Sequence, residues 1–391
     1  MKRIDGHARN RWTRVSVRRW RRNCLKIRKR RKSAAGRPLE SLDLIELRRR
    51  RLILPKPVYE QGTWQSPWGL RREIRLLAPE NLNLGSSFEQ TMSFVEEMRH
   101  AVFVERRFYR VQRRTRQPRL IIDLSPVSSM SIDAALVIAA EFDRIKRVQN
   151  FRPTIIDARW KPSIKEAWRR LGLYDLVDAT NTPETVVPES QPFQLRFVRF
   201  ISGKQVEGPL ANELLDRLVE ALGQTPSDMG LYGGIVEAIA NVRSHAYSLI
   251  GMRRAIPQIN AWWAGGAFDP IAGRLHVSVY DQGLGIPTTL AARPWFPELL
   301  RLTTEHSDAK KIQLALEYGE TSTNIRGRGN GLWQIAEIAR KVPNSAVDIV
   351  SGSGRVHVAQ GGTQKYVLSA PFCGTLIHWD LDVGRHLVPR T

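Results

Sequence analysis

Glu237 and Asn241 stand four residues apart in the stretch Leu231–Ala246, LYGGIVEAIANVRSHA. An α-helix stacks such a pair on one face, one turn above the other. The amide oxygen of Asn241 can ligate Mg²⁺, and the Glu237 carboxylate can orient or deprotonate a water. His245 follows four residues later. Taken alone, Glu and Asn at this spacing are commoner on a solvated helix face than in a site, and a histidine there is more often a packed helix residue.

A second chemical element is Asp281. It ends the alternating run Arg274–Asp281 and leads straight into Gln-Gly-Leu-Gly-Ile-Pro. An acceptor-only carboxylate at a strand end can take a hydrogen bond from an exocyclic amino group such as that of adenine. Gly283 and Gly285 let backbone approach a ligand closely. A third is the run holding Gly327, Gly329 and Gly331, which opens onto an amphipathic helix with Leu332, Ile335, Ile338, Ala339 and Val342 inward. Unpaired N–H groups and the positive dipole end at such a terminus suit phosphates. The run is neither a P-loop nor a dinucleotide-binding fingerprint.

These groups need a scaffold to position them. Gln194–Ile201 reads as a strand and Leu210–Leu222 as a helix, both leading into the Glu237 stretch. Residues 287–326 separate the two glycine runs and suit a mobile lid. Asp348–Gly354, Arg355–Val358, Gln364–Leu368 and Gly374–Leu381 read as closing strands. Upstream, strand and helix textures alternate. Arg119–Leu124 and Pro153–Asp157 suit strands, while Phe88 to about Arg107, Ile132–Val148 and Pro162–Leu171 suit helices, an α/β layer pattern. Residues 181–193, with three prolines, mark a linker.

The net charge of +23 is concentrated at the start of the chain. Residues 1–37 hold 16 Lys or Arg against the single acid Asp5, with Trp12 and Trp20 between the charges. Arginines can neutralise phosphate and indoles can stack on unpaired bases, so nucleic acid is one partner for this arm; a solvated tail is the alternative. No apolar run is long enough to span a bilayer. The two cysteines, Cys24 and Cys373, form no disulfide framework, which suits a cytoplasmic location. The expected divisions are 1–72, a disordered basic arm and linker; 73–180, a small α/β domain; and 193–383, the domain carrying the chemistry.

The order E-x-x-x-N, D-x-G-x-G, G-x-G-x-G and a terminal Gly374-Thr375 strand resembles the GHKL group, the gyrase, Hsp90, histidine kinase and MutL ATPases. That resemblance implies an α+β sandwich of a mixed sheet and helices binding Mg·ATP. By the same resemblance, Asn241 would meet Mg²⁺ and Glu237 would be a candidate catalytic base. Asp281 would read adenine with Gly283 and Gly285 shaping its loop, Gly327, Gly329 and Gly331 would form the phosphate loop, and Thr375 would lie beneath the base. Glu237–Tyr247, EAIANVRSHAY, is most similar to anti-sigma-factor serine kinases. The segments LIIDLSPVSSMSIDAALVIAA, PTIIDA and IKEAWRRLGLYDLV resemble the STAS domain, the type of protein on which those kinases act. Regulatory STAS members carry a phosphorylated Ser directly after an Asp, whereas Ala134 follows Asp133 here and Ser131 precedes it. The resulting expectation is a cytoplasmic ATP-binding regulator that phosphorylates or switches a STAS-like or sigma-like protein partner. The alternatives are an ATP-driven conformational switch without kinase activity, and a nucleic-acid-binding protein acting through its arm.

Overall fold

A computed structural model describes residues 60–66, 69–105, 118–179, 195–204, 208–223, 231–247, 257, 259–291, 296–301, 303–321 and 331–384. All of them fall in one compact unit, Leu47–Thr391; the other unit, Met1–Glu46, lies outside the described residues. The fold class is mixed α/β, built on two five-stranded sheets.

The first sheet runs in the order β1 (Glu60–Ser66), β2 (Gly69–Leu77), β4 (Arg119–Asp123), β6 (Thr154–Ile155), β7 (Asp178–Ala179), with β3 (Asn81–Leu82) and β5 (Ser129–Met130) paired separately. β1 and β2 form an antiparallel hairpin, and the remaining pairs are parallel. Parallel neighbours need crossovers. These are α1 (Phe88–His100, continued by a π-helical turn Ala101–Glu105), α2 (Ile132–Gln149) and α3 (Pro162–Leu171). Pro162 pre-sets the first turn of α3 and Gly172, at φ +80°, ends it. The hairpin corrects one expectation. Part of the stretch assigned to arm and linker, Glu60–Ser66 and Gly69–Arg72, belongs to this sheet. Arg71 and Arg72 made the start of β2 read as more of the basic connector.

The second sheet has the order β11 (Ala346–Ala359), β12 (Gly362–Asp382), β10 (Arg274–Asp281), β9 (Trp262–Asp269), β8 (Arg196–Gly203). Every pairing in it is antiparallel, so the mixed sheet implied by the family resemblance is not what the described strands form. The four closing strands anticipated are two long ones, joined by a short turn and bulged at Ser351–Gly352. One face carries α4 (Gly208–Leu222), α5 (Leu231–Asn241, continued by a π-helical turn Val242–Ala246), α8 (Asp308–Thr321) and α9 (Gly331–Lys341). Odd-numbered residues of β10 and β12, such as Val277, Val279, Ile377 and Trp379, point into that layer.

The opposite face is covered by the first module. Trp263, Ala267, Tyr280, Leu376 and Phe372 share a single apolar core with α1, α2 and α3. β9 is therefore buried on both sides, which accounts for its unbroken apolar sequence. The lid expectation for residues 287–326 is corrected over α8, while residues 322–326 lie outside the described residues. Residues 286–321 hold α6 (Ile286–Ala291), α7 (Phe296–Arg301) and α8, and Ala309, Ile312 and Leu316 of α8 are core residues. Their i, i+3, i+7 spacing is that of a packed helix.

Candidate functional site

Antiparallel register sets the centre of the site. Asp281, the last residue of β10, lies opposite Thr375 of β12, and Thr375 lies opposite Ser351 of β11. A hydroxyl row thus runs from the Asp281 carboxylate across the sheet. Ser351 was not anticipated, although a serine inside the apolar run Asp348-Ile-Val-Ser-Gly was a visible signal. It is fully buried. Its Oγ donates to Gly374 O at 2.8 Å, accepts from Ile286 N at 2.9 Å and lies 3.2 Å from Thr375 Oγ1.

The loop after Asp281 is fastened on two sides. Asp281 Oδ1 accepts from Gly283 N at 2.6 Å, and Leu284 N donates to Ala246 O at 2.8 Å. A Cβ on Gly283 would stand 2.4 Å from Ala246 Cβ, and one on Gly285, at φ +81°, would stand 2.7 Å from Ser351 Oγ. Both glycines are demanded by protein packing around the loop, a reason distinct from close approach to a ligand. Tyr247 completes the fastening, donating to Ala261 O at 2.7 Å and accepting from Gln282 N at 3.1 Å. Burial and the nearby Asp281 charge raise the Tyr247 phenol well above its ordinary value, so the donor proton stays in place.

These contacts bring Asn241, Asp281, Gly285 and Thr375, read from three separate stretches of sequence, to the wall of one cavity of about 90 Å³. His245 and Thr289 line it too, with Val279, Leu290, Leu332 and Ile377 as apolar surface. The π-helical turn that begins at Val242 widens the helix where His245 and Ala246 meet the cavity. Gly283 is buried behind the lining. Gly331 starts α9, whose Leu332 lines the cavity, while Gly327 and Gly329 lie outside the described residues.

Glu237 is half-buried on α5 and is not part of the cavity wall. Burial raises its carboxyl above the ordinary value, with Asn241 acting in the opposite sense. Asn241 Nδ2 is itself buried and, among the described residues, makes no hydrogen bond of good geometry. Among the described residues, no group of three or more His, Cys, Asp or Glu could hold a metal ion, and no helix is long and apolar enough to cross a membrane.

A larger cavity, about 540 Å³, lies on the other face of the second sheet, where even-numbered His276, His378 and Asp380 point. Its far wall is the Ser128–Asp133 loop of the first module, with Ser131 hydrogen-bonded to Asp133. The sheet separates Ser131 from Asp281, since side chains one residue apart along a strand face opposite ways. In comparisons with protein-family profiles, curated proteins and solved structures, nothing matches this chain.

Proposed function

We propose that residues from about 193 to 383 form a GHKL-type Mg·ATP site in a regulatory protein, whose output is phosphorylation or switching of a protein partner. The observation that carries this reading is the convergence of Asn241, Asp281, Gly285 and Thr375 on one cavity. The residues present suit the ligand. Asp281 offers a buried acceptor for an amino group, Thr375 a hydroxyl beside it, and Asn241 a carboxamide on the cavity wall whose oxygen is the atom type Mg²⁺ takes. Mg²⁺ commonly takes one or two protein oxygens, completing its shell with phosphate and water, so Asn241 serves as its protein ligand. Bound there, the metal would supply charge neutralisation for the phosphate chain. At about 10–15 Å³ for one water, a cavity of about 90 Å³ is too small for a triphosphate as well as a base. The phosphates then extend toward the start of α9.

The reading is tested by calorimetry on the full-length protein. Asp281→Asn replaces an acceptor-only carboxylate by an amide that presents N–H donors, leaving a buried amino group poorly paired at a cost of about 1–3 kcal/mol or more. ATP affinity is expected to fall by about tenfold or more. Equal affinity in wild type and variant would remove the base-reading role from Asp281.

Glu237 carries the chemistry in this reading, as a base that acts on a water or on the hydroxyl of a partner. Burial raises its carboxyl above the ordinary value, which makes the carboxylate a stronger proton acceptor. Glu237→Gln is expected to keep nucleotide affinity and to lower phosphate release or transfer by about 10² or more. Turnover with γ-labelled ATP at the wild-type rate would make Glu237 a structural residue of α5. The position of Ser131 behind the sheet supports a first module that acts by docking, since its own serine faces away from the proposed phosphates.

A further inference from the structure

Gln282 lies between Asp281 and Gly283, yet its side chain leaves the cavity side of the sheet and enters the first module. Tyr280 and Gln282 face one way and Asp281 the other, as strand alternation requires. Gln282 is fully buried, and its Nε2 donates to Glu141 Oε1 of α2 at 3.3 Å. Glu141 is fully buried as well. The same Oε1 accepts from Arg99 Nε at 3.0 Å and from Arg99 Nη2 at 2.5 Å, and Oε2 is bound by Arg144. Arg99 also pairs with Glu96. Two guanidinium and two carboxylate groups thus make a neutral set around the end of Gln282.

This anchor is rigid. Trp263 Nε1 donates to Asp143 Oδ2 at 2.9 Å, which fixes α2 against β9 two residues from Glu141. On its other side, the Gln282 main-chain N–H is held by Tyr247 Oη. The peptide carrying Asp281 is therefore clamped between the end of the α5 segment and a charge network belonging to the other module. A hydrogen bond to a ligand weakens steeply with misdirection, and a site tolerates displacements of only about 0.5 Å.

We infer that Gln282 is a positioning residue through which the first module, acting from Glu141, holds Asp281 in register with the base and so sets the base preference of the nucleotide site. The inference rests on the nucleotide reading given above. It also implies the reverse effect, since coupling between two sites is reciprocal: base in the cavity tightens the contact of α2 with the loop.

The test is calorimetric titration of the full-length protein with Mg·ATP and with Mg·GTP. The variants are Gln282→Met, Glu141→Gln, the two combined, and Asp281→Asn. Gln282→Met keeps the side-chain volume and leaves Glu141 with both arginines, so no buried charge is stranded. It is expected to lower the ATP-to-GTP affinity ratio by about tenfold. Loss of general stability would weaken both nucleotides alike and leave that ratio unmoved. Glu141→Gln is expected to shift the ratio the same way, and the double variant is expected to be no worse than Gln282→Met, because both changes cut one link. If Glu141→Gln fails to fold, Gln282→Met decides alone. A wild-type ratio in Gln282→Met, together with lost ATP binding in Asp281→Asn, overturns this inference and leaves the nucleotide site standing. Full additivity of the two single effects also overturns it. Absence of ATP binding in wild type overturns the nucleotide reading and this inference with it, and undiminished binding in Asp281→Asn removes the base-reading role of Asp281 and this inference with it.

Discussion

A protein starting at Pro38 is expected to bind ATP as the full chain does and to lose its retention on nucleic acid at low salt. The expectation comes from sequence alone, because residues 1–37 lie outside the described residues. They carry 16 Lys or Arg against one acid, which is enough to displace many counterions at once. If roughly six to ten phosphates are neutralised, affinity should fall by about 10³ to 10⁵ between about 50 and 200 mM salt. Trp12→Ala and Trp20→Ala should matter more on single strands than on duplex, because only unpaired bases offer faces for stacking. An anionic membrane surface competes for the same charge, but the arm has no clean apolar face to bury in lipid. Equal retention of truncated and full-length proteins on DNA and RNA columns would reduce the arm to a solvated tail.

The parts of this molecule that were legible in the sequence are those whose cause is local. Arg274–Asp281 alternates, and it is a strand with those bounds. Pro162–Leu171 opens on Pro and closes on Gly, and it is a helix with those bounds. Asp281 was legible for a related reason, since it ends a strand and is followed by Gly283 and Gly285, which the loop geometry demands, whereas Thr375 was reached only through the family resemblance. What the sequence hid depends on partners far along the chain. Ser351 matters only because β11 places it beside Gly374 and Ile286. β1 and the start of β2, up to Arg72, read as a basic connector because pairing in the hairpin makes them strands, whereas Ile74, Leu76 and Leu77 already suited a strand. The antiparallel character of the second sheet is likewise a property of register. The largest omission was the junction between the modules. Glu141, Asp143 and Arg144 sit among apolar residues on α2, where a helix reading assigns charge to solvent, yet all three are buried.

That junction carries the largest stability effect expected here. Glu141→Ala leaves the Arg99 and Arg144 guanidiniums buried without their shared carboxylate, and removing one partner of a buried pair costs about 3–5 kcal/mol. Replacing the charges together is a different experiment. Arg99→Met, Glu141→Leu and Arg144→Met in one chain strand no guanidinium, and such apolar exchanges are often neutral or stabilising by about 1–4 kcal/mol. Against that gain stand the lost partner of Gln282 Nε2, about 1–3 kcal/mol, and the lost arginine partner of Glu96. Glu96 remains partly exposed at 13% and keeps some contact with water. The triple variant is therefore expected to be more stable than the single one in urea unfolding. The pH dependence has a defined sign as well. Burial pushes the Glu141 carboxyl up, but Arg144 and Arg99 outweigh it and hold it below the ordinary 4.5. A carboxyl depressed in the folded state contributes stability that is present above 4.5 and lost as pH falls through the lower folded value. The deficit of Glu141→Ala relative to wild type should accordingly be full at about pH 7 and shrink toward about pH 3. A single variant as stable as wild type at neutral pH, or a deficit that grows on acidification, would show that the Arg99–Glu141–Arg144 set does not stabilise the fold.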